Sequence, residues 1–247
     1  MSGLISLLNA SLEDLDFILE NSFKKRLVIH STLKVIKEVR VDVNRYVIPW
    51  SGGLDSTVVL DDYAATSSKL YKVIAVSVSG HPNINKHQMI AQNKAQKNYM
   101  VYAKRRGYHI EHRKIKILGK GEWDGRGDVV AQSILWLSAL TPTLRDGDKI
   151  LFPYIQNDCF WHYKDKFEAI FNAICSMKDV KVTFEYPLEW CTKYDVLSKG
   201  RFIPKKCWFS CDRTKNSKPC GKCDKCNEIK KAYERLKAKE VLSERSG

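Results

Sequence analysis

Short apolar runs alternate with helix-like segments from Arg45 onward, and this alternation restricts the fold more than any other feature of the chain. Buried strands are predicted at 46–50, 72–79, 109–117 and 149–154. Helices are predicted between and after them, at 55–65, 85–106, 129–140 and 163–177. Strands that alternate with helices form parallel sheets, because each crossover helix returns the chain to the same end of the sheet. The sequence therefore predicts an α/β fold in which a parallel sheet carries helices on both faces.

The pattern divides the chain of 247 residues into three predicted parts: an N-terminal extension at 1–44, an α/β domain at 45–200 and a C-terminal segment at 201–247. In the extension, apolar residues at helical spacing predict a helix near 12–19. Alternating apolar positions at 27–43 then predict strands or a hairpin. We expect one face of this extension to pack on the core.

The first predicted strand ends at the loop 51–56, which reads Ser-Gly-Gly-Leu-Asp-Ser, and a helix follows directly. Gly52 and Gly53 permit backbone angles that a side chain would forbid. Without Cβ atoms, the backbone N–H groups of such a loop can approach an anion closely. The helix that follows adds the positive end of its dipole, so the loop is predicted to bind phosphate.

The side chains of the loop suit the same interpretation. Ser51 and Ser56 can donate hydroxyl hydrogen bonds to phosphate oxygens, and Asp55 can orient the loop or help to hold Mg²⁺. The motif lacks the Gly-Lys-Ser/Thr ending of a Walker loop and the third glycine of a dinucleotide-binding loop, which excludes both of those sites. The alternative is an ordinary Gly-Gly turn followed by a Ser or Asp helix cap.

Four cysteines follow one another at Cys211-x8-Cys220-x2-Cys223-x2-Cys226, a spacing typical of a metal site. Zn²⁺ takes four thiolates at tetrahedral corners, and a fully occupied set leaves no open position, so the metal is predicted to be structural. A helix is predicted to begin at Asn227, directly after the last ligand. The alternatives are two disulfides, a redox pair at the central Cys-x2-Cys, an iron–sulfur cluster, and Cys207 in place of the first ligand.

The loop 51–56 resembles the pyrophosphate loop of the PP-loop ATP pyrophosphatases, a superfamily with a Rossmann-like (HUP) fold. The run from Ser210 to Cys226, with its Cys-Gly-Lys-Cys-Asp-Lys-Cys ending, is similar to the zinc segment of one of its families, the 7-cyano-7-deazaguanine synthases (QueC). Further stretches that resemble this family lie at 157–158, 163–167, 187–190 and 192–193. The resemblance runs from about residue 45 to about residue 233 and is dense only at its two ends.

Two stretches depart from that family. Its Tyr-Gly-Gln-Arg-His pattern after the second strand is replaced here by Ser-Gly-His-Pro at 79–82. Its Pro-Gly-Arg-Asn stretch is reduced to Asp-Gly-Arg-Gly-Asp at 124–128. The resemblance therefore implies ATP chemistry but leaves the second substrate and the final product open.

The resemblance implies a cytoplasmic carbon–nitrogen ligase of queuosine biosynthesis that uses ATP, Mg²⁺ and Zn²⁺. Such an enzyme adenylates the carboxylate of 7-carboxy-7-deazaguanine, releases pyrophosphate and AMP, and uses an amine donor to form the amide, the nitrile or both. One alternative is a divergent ligase that joins the deazaguanine acid to another amine, such as a protein amine in a defence or modification system. Another is a PP-loop enzyme that modifies tRNA, and a third is an inactive zinc-binding interaction module.

Candidate site residues follow from the loop and the resemblance together. The candidate catalytic residues are Ser51, Asp55, Ser56 and Lys193. The candidate nucleotide- and substrate-binding residues are Ser51, Gly52, Gly53, Leu54, Asp55, Ser56, Val76, Arg126 and Asp158. Lys193 is expected to contact phosphate as a mobile point charge, with a solvated surface lysine as the alternative. Asp158 is expected to accept hydrogen bonds from a guanine-like edge, with a helix cap or turn former as the alternative.

The charge of the chain restricts its partners. Lys and Arg number 42 and Asp and Glu 28, which leaves a net charge of +14. Nucleotide phosphates, an acidic small molecule and RNA all satisfy that charge. RNA also fits the basic C-terminal segment, but small molecules are the expected partners and a nucleic acid is the less favoured alternative. No apolar run approaches the roughly 20 residues of a membrane span, and residues 1–20 lack the order of a secretion signal. We therefore expect a cytoplasmic protein without a membrane partner, and a second copy of the chain remains a candidate partner.

Overall fold

The computed structural model describes residues 44–66, 71–79, 86–116, 129–214 and 216–245. The helix and the strands predicted for the N-terminal extension lie outside the described residues. The two stretches that depart from the family pattern, 79–82 and 124–128, also lie outside the described residues, with the exception of Ser79. Arg126 belongs to the second of these stretches.

The described residues contain one sheet of five strands: β1 (Asn44–Pro49), β2 (Tyr71–Ser79), β3 (Ile110–Lys116), β4 (Asp148–Leu151) and β5 (Val182–Glu185). They also contain six α-helices: α1 (Leu54–Thr66), α2 (Lys86–Arg105), α3 (Val129–Leu140), α4 (Lys164–Ser176), α5 (Lys193–Lys199) and α6 (Asp224–Arg245). The strand order is β3-β2-β1-β4-β5, and every neighbouring pair is parallel. This arrangement confirms the predicted α/β fold.

Helices cover both faces of the sheet. Because neighbouring residues of a strand point to opposite faces, adjacent positions of β1 belong to two different cores. Ile48 packs in one core with residues of α1, α2, α5 and α6. Val47 packs in the other core with residues of α3 and α4. The prediction of helices on both faces is therefore confirmed.

Several element bounds differ from the prediction. Strand β4 ends at Leu151 rather than near residue 154, because Pro153 lacks the N–H that would continue the ladder. The short elements β5 and α5 are missing from the predicted pattern, since four and seven residues give too little periodicity to detect. Helix α6 begins at Asp224, not at Asn227, so Cys226 lies in its first turn. An acidic residue at this position stabilises the positive end of the helix.

The order of the strands places a crevice beside β1. The chain runs outward from β1 through β2 to β3 and then returns to β4 on the other side of β1. Ligands of open parallel sheets bind at the carboxyl ends of the strands at such a reversal. The loops after β1 and β4 meet here. None of the helices in the described part of the chain is long and apolar enough to cross a membrane.

Candidate functional site

The tight turn between β1 and α1 depends on Gly52. Its φ angle is +79°, a conformation that residues with a side chain rarely adopt. A Cβ atom at this position would lie 2.9 Å from Cγ of Gln96 and 3.1 Å from the backbone oxygen of Gln92 on α2. Gln96 is itself held in place, because its Nε2 donates to the carbonyl oxygen of Trp50 at 3.1 Å. Gly53 has no positive φ angle, so of the two glycines only Gly52 uses a backbone angle that a side chain would disfavour.

The two serines of the loop bond to each other and to the backbone. Oγ of Ser51 accepts the N–H of Gly53 at 3.1 Å and lies 3.1 Å from Oγ of Ser56. Oγ of Ser56 also donates to the carbonyl oxygen of Gly53 at 3.4 Å. The hydroxyl groups are therefore held at the beginning of α1, where both border the cavity described below.

The beginning of α1 presents backbone N–H groups that have no carbonyl partner within the helix. The first amide that bonds backward is that of Thr57, which donates to the carbonyl oxygen of Gly53 at 3.1 Å. The amides of Leu54, Asp55 and Ser56 precede it and have no intrahelical acceptor. Such amides, together with the helix dipole, form a site where an anion is favoured.

A segment from the cysteine region packs directly against this loop. The N–H of Phe209 donates to the carbonyl oxygen of Gly52 at 2.9 Å. Oγ of Ser210 accepts the N–H of Leu54 at 3.0 Å. The next residue in the chain is Cys211, so two hydrogen bonds connect the segment that leads into the cysteine cluster to the loop 51–56.

Asp55 and Lys193 form an ion pair inside the site. Nζ of Lys193 lies 2.8 Å from both carboxylate oxygens of Asp55. The lysine side chain is only 14% exposed, so it is not a solvated surface lysine. It occupies the first turn of α5, which begins with a capping box between Thr192 and Asp195. The cap fixes the start of this short helix and thereby the position of the lysine.

Asp158 follows β4 on the opposite side of the crevice. Its Oδ2 accepts the N–H of Ile155 at 3.0 Å, which agrees with the turn-former alternative, and Oδ1 has no donor among the described residues. Burial raises the pKa of the Asp158 carboxyl, and the negative charge of Asp55 adds to the rise, whereas Lys193 and Lys225 oppose it.

These residues border a single cavity of about 330 Å³. The predicted site residues that line it are Ser51, Gly53, Asp55, Ser56, Asp158 and Lys193. Val76 is not brought to the cavity. Its side chain is fully buried in the core, and its carbonyl oxygen accepts the N–H of Trp50 at 2.7 Å. Val76 lies within β2, on a side of the strand that packs into the core.

The third wall of the cavity comes from residues that the sequence analysis does not include among the site residues. Asp212 and Lys225 line it, with Nζ of the lysine 2.7 Å from Oδ1 of the aspartate. Ser210 lines it as well, and Gln88 and Gln92 contribute from α2. Lys225 lies between two of the clustered cysteines, which is the one sequence signal that could have located it. Nothing in the sequence distinguishes the two glutamines.

The four clustered cysteines bring their sulfur atoms together. The sulfurs of Cys211, Cys220, Cys223 and Cys226 all lie within 4.8 Å of one another. Those of Cys211 and Cys223 are 3.9 Å apart. No disulfide joins them, and the alternative ligand Cys207 is instead fully buried in the apolar core.

Backbone groups around the cluster favour thiolates. The N–H of Cys220 donates to the sulfur of Cys211 at 3.3 Å, and the N–H of Cys223 donates to the sulfur of Cys220 at 3.3 Å. Backbone donors from Lys222 and Cys223 lower the pKa of the Cys220 thiol. Because a metal binds the thiolate and not the thiol, the cluster fits a cation that prefers sulfur.

Comparison with known proteins agrees with the resemblance noted in the sequence. The profile of the family described as "Queuosine biosynthesis protein QueC" matches residues 146–237, which include Lys193 and all four clustered cysteines. Among solved structures, the chain is similar to U34-tRNA thiolase NcsA from Methanococcus maripaludis with its [4Fe-4S] cluster. That similarity has 16% sequence identity and a TM-score of 0.46, and it covers 87% of this chain and 75% of that chain. No curated protein matches the chain.

Proposed function

We propose that this chain, a divergent QueC-like member of the PP-loop superfamily, adenylates the carboxylate of 7-carboxy-7-deazaguanine and joins the activated acid to an amine. The superfamily consists of ATP-using enzymes, and the family match supports that coarser assignment directly. The observation that carries the finer proposal is the single cavity shared by the loop 51–56, Lys193 and Asp158. It places an anion site and a carboxylate on the lining of one space, which is large enough for a small planar acid.

The loop would hold the phosphates of ATP. The amides of Asp55 and Ser56 have no intrahelical acceptor, and the hydroxyl groups of Ser51 and Ser56 stand beside them. These groups would stabilise the charge that develops on pyrophosphate as the acid attacks the α-phosphorus. The acyl adenylate then loses AMP when the nitrogen of the amine attacks its carbonyl carbon, which leaves an amide.

Mg²⁺ and Lys193 would share the task of charge neutralisation. The carboxylate oxygens of Asp55 border the cavity and are the kind of hard ligand that Mg²⁺ prefers, with phosphate oxygens and water completing the set. Bound there, the ion would withdraw charge from the phosphates. Lys193, now paired with Asp55, supplies a cation that can turn toward an arriving phosphate.

The cysteine cluster would hold Zn²⁺ as a structural ion. At a Zn–S distance of about 2.3 Å, tetrahedral sulfurs lie roughly 3.8 Å apart, close to the 3.9 Å between Cys211 and Cys223. A [4Fe-4S] cluster would hold its cysteines further apart, because each sulfur binds a different iron. The ion would stabilise the segment whose Phe209 and Ser210 bond to the phosphate loop.

Asp158 would recognise the base. Oδ1 of Asp158 has no donor among the described residues, and a guanine-like ring offers an amino and an imino N–H on one edge. Burial raises the pKa of this carboxyl and Lys193 and Lys225 oppose the rise; the ionised form would accept both hydrogen bonds.

The test is incubation with ATP, Mg²⁺, ammonia and 7-carboxy-7-deazaguanine, followed by measurement of AMP, pyrophosphate and the mass of the base. We expect AMP and pyrophosphate in equal amounts, together with conversion of the acid to the amide or the nitrile. AMP formation with the base attached to a protein would establish the alternative ligase. If no AMP forms from this acid, whichever amine is supplied, the result would contradict the proposal.

A matched pair of serine variants locates the chemistry. Oγ of Ser56 and Oγ of Ser176 each donate to the carbonyl oxygen three residues earlier, at 3.4 and 2.7 Å. Only Ser56 lines the cavity. Ser56→Ala is therefore expected to lower the rate of AMP formation by about tenfold or more, and Ser176→Ala to leave it unchanged. Equal rates in both variants would contradict the role of the loop.

A tRNA-modifying enzyme is the second candidate. The observation that favours it is a basic surface on α2, on the far side of the helix from its two cavity-lining glutamines. When tRNA is added to the same incubation, a mass change on the RNA instead of the free base would establish this candidate.

A further inference from the structure

We propose that the outer face of α2 binds the phosphate backbone of a duplex nucleic acid. The acid activation proposed above needs only small molecules and an amine, so this inference goes beyond it, and it concerns the surface on which the tRNA-modifying candidate rests. It concerns four exposed lysines, Lys86, Lys94, Lys97 and Lys104, which we call the lysine stripe.

Helix α2 is unusual in composition. Its 20 residues include four lysines and one arginine but no aspartate or glutamate. The C-terminal helix α6, in contrast, mixes basic residues with acidic ones, as exposed helices ordinarily do. The acid-free helix therefore carries a charge that nothing on its own surface neutralises.

The four lysines lie along one side of the helix. At about 100° per residue, they fall within an arc of roughly 80°, and at about 1.5 Å per residue they extend over roughly 27 Å. All four are exposed. Ile90 and Val101 lie on the same side and are 45% and 54% exposed. The opposite side of the helix packs on the core through Ala91, Ala95, Tyr99 and Ala103.

The edge of the sheet extends this basic surface. Strand β3 is the edge strand next to β2, and its Lys114 and Lys116 are exposed. Nζ of Lys114 donates to Oδ1 of Asn93 on α2 at 2.7 Å, which holds the edge of the sheet against the helix. Within the described ranges, none of the four stripe lysines pairs with a carboxylate.

The chemistry of the stripe favours nucleic acid over an acidic protein. Protein interfaces are depleted of lysine at their centres and enriched in aromatic residues, whereas the stripe has lysines and no aromatic side chain. Lysine is a point charge that suits phosphate, and lysines aligned along one side of a helix suit a row of phosphates. The lack of aromatic side chains also argues against single strands, whose bases stack on such rings. A duplex backbone is the occupant that remains.

The position of the stripe connects it to the cavity. Gln88 and Gln92 line the cavity from α2, and Gln96 bonds to the residue before the phosphate loop. A duplex bound along the stripe would therefore lie on the same helix that forms one wall of the site.

The test measures binding of a labelled RNA duplex, longer than the stripe, by fluorescence anisotropy over a series of KCl concentrations. With about four phosphate contacts, the slope of log K against log salt should be near −4 for a duplex. The variant Lys86→Gln, Lys94→Gln, Lys97→Gln, Lys104→Gln should lose about 10²-fold in affinity at low salt and most of the slope. Because these four side chains are exposed and none of them lines the cavity, AMP formation from the free acid should be unchanged.

A charge-matched control separates the stripe from the charge of the whole chain. The variant Lys166→Gln, Lys230→Gln, Lys231→Gln, Lys237→Gln removes four exposed positive charges elsewhere. It should bind RNA within about threefold of the unaltered protein. Equal losses in both variants, absence of binding near 0.1 M KCl, or stronger binding of poly-glutamate than of RNA would each overturn the proposal.

An identical duplex of DNA distinguishes the source of the phosphates. Equal affinity for DNA would support recognition of the backbone alone, and preference for RNA would support recognition of an A-form duplex. Because the measurement needs no ATP, a failure of the proposed acid activation would leave its result unaffected.

Discussion

Replacement of Gly52 by alanine tests whether the conformation of the loop 51–56 depends on its close contact with α2. Two penalties are expected. The φ angle of +79° is unfavourable for any residue with a Cβ atom, which costs about 1–2 kcal/mol. In addition, the new Cβ would lie 2.9 Å from Cγ of Gln96 and 3.1 Å from the backbone oxygen of Gln92. The glutamine side chain could move only by losing its hydrogen bond to Trp50, which costs about 1 kcal/mol.

Gly147 provides the matched control. Its φ angle is +78°, and a Cβ atom there would meet nothing within 4 Å. Gly147→Ala should therefore carry the backbone penalty alone. Gly52→Ala should lose about 1–2 kcal/mol more in free energy of unfolding, which corresponds to a further decrease in Tm of about 2–8 °C for a chain of this size.

Thermal unfolding of the two variants and of the unaltered protein measures the difference. Titration with ATP should show weaker binding to Gly52→Ala, because displacement of the loop moves the amides of α1, and unchanged binding to Gly147→Ala. An equal decrease in Tm for both variants would refute the reasoning, since it would mean that the contact with α2 costs nothing.

Three further predictions concern the neighbouring parts of the site and core. Ser210→Ala removes the acceptor of the Leu54 N–H and should lower the free energy of unfolding by about 1–2 kcal/mol, as measured by urea unfolding, and weaken ATP binding while metal content stays the same. Unchanged ATP affinity would contradict it. Burial raises the pKa of Asp61 to about 6. The folded protein binds this proton more tightly than the unfolded chain, so the free energy of unfolding falls as pH rises from about 4, the pKa of an unfolded Asp, through about 6. Asp61→Asn should therefore be more stable than the unaltered protein at pH 7 but not at pH 4. Thermal unfolding at the two pH values checks this, and an equal difference at both would count against it. Cys223→Ser should lose most of the bound metal by elemental analysis, whereas Cys159→Ser, with a cysteine outside the cluster, should retain it.

Much of the fold and part of the site can be predicted from local patterns. The strands β1 and β2 and the helices α1 to α4 follow from apolar periodicity, because a buried element of sufficient length repeats its signal several times. The loop 51–56 stands out because its residues are consecutive. The four cysteines stand out because they are close in sequence, and so short a stretch of chain keeps their sulfur atoms near one another.

The contacts between distant parts of the chain have no such local signal. Asp55 and Lys193 are 138 residues apart, and Leu54 and Ser210 are 156 residues apart. Each pair meets only because β1 lies in the middle of the sheet and the C-terminal segment returns across its carboxyl end. Val76 shows the opposite case, in which a residue near the correct edge points into the core.

The sequence alone predicts a phosphate-binding loop and a cluster for a soft metal, since those abilities belong to glycine-rich turns, hydroxyl groups and thiols. Only the tertiary structure decided that Cys211 reaches the cavity beside the loop 51–56, and that Lys225 and Ser210 also line it. The physical reason is that a parallel sheet gathers the ends of separate strands at one edge. Which side chains meet there depends on the path of the whole chain.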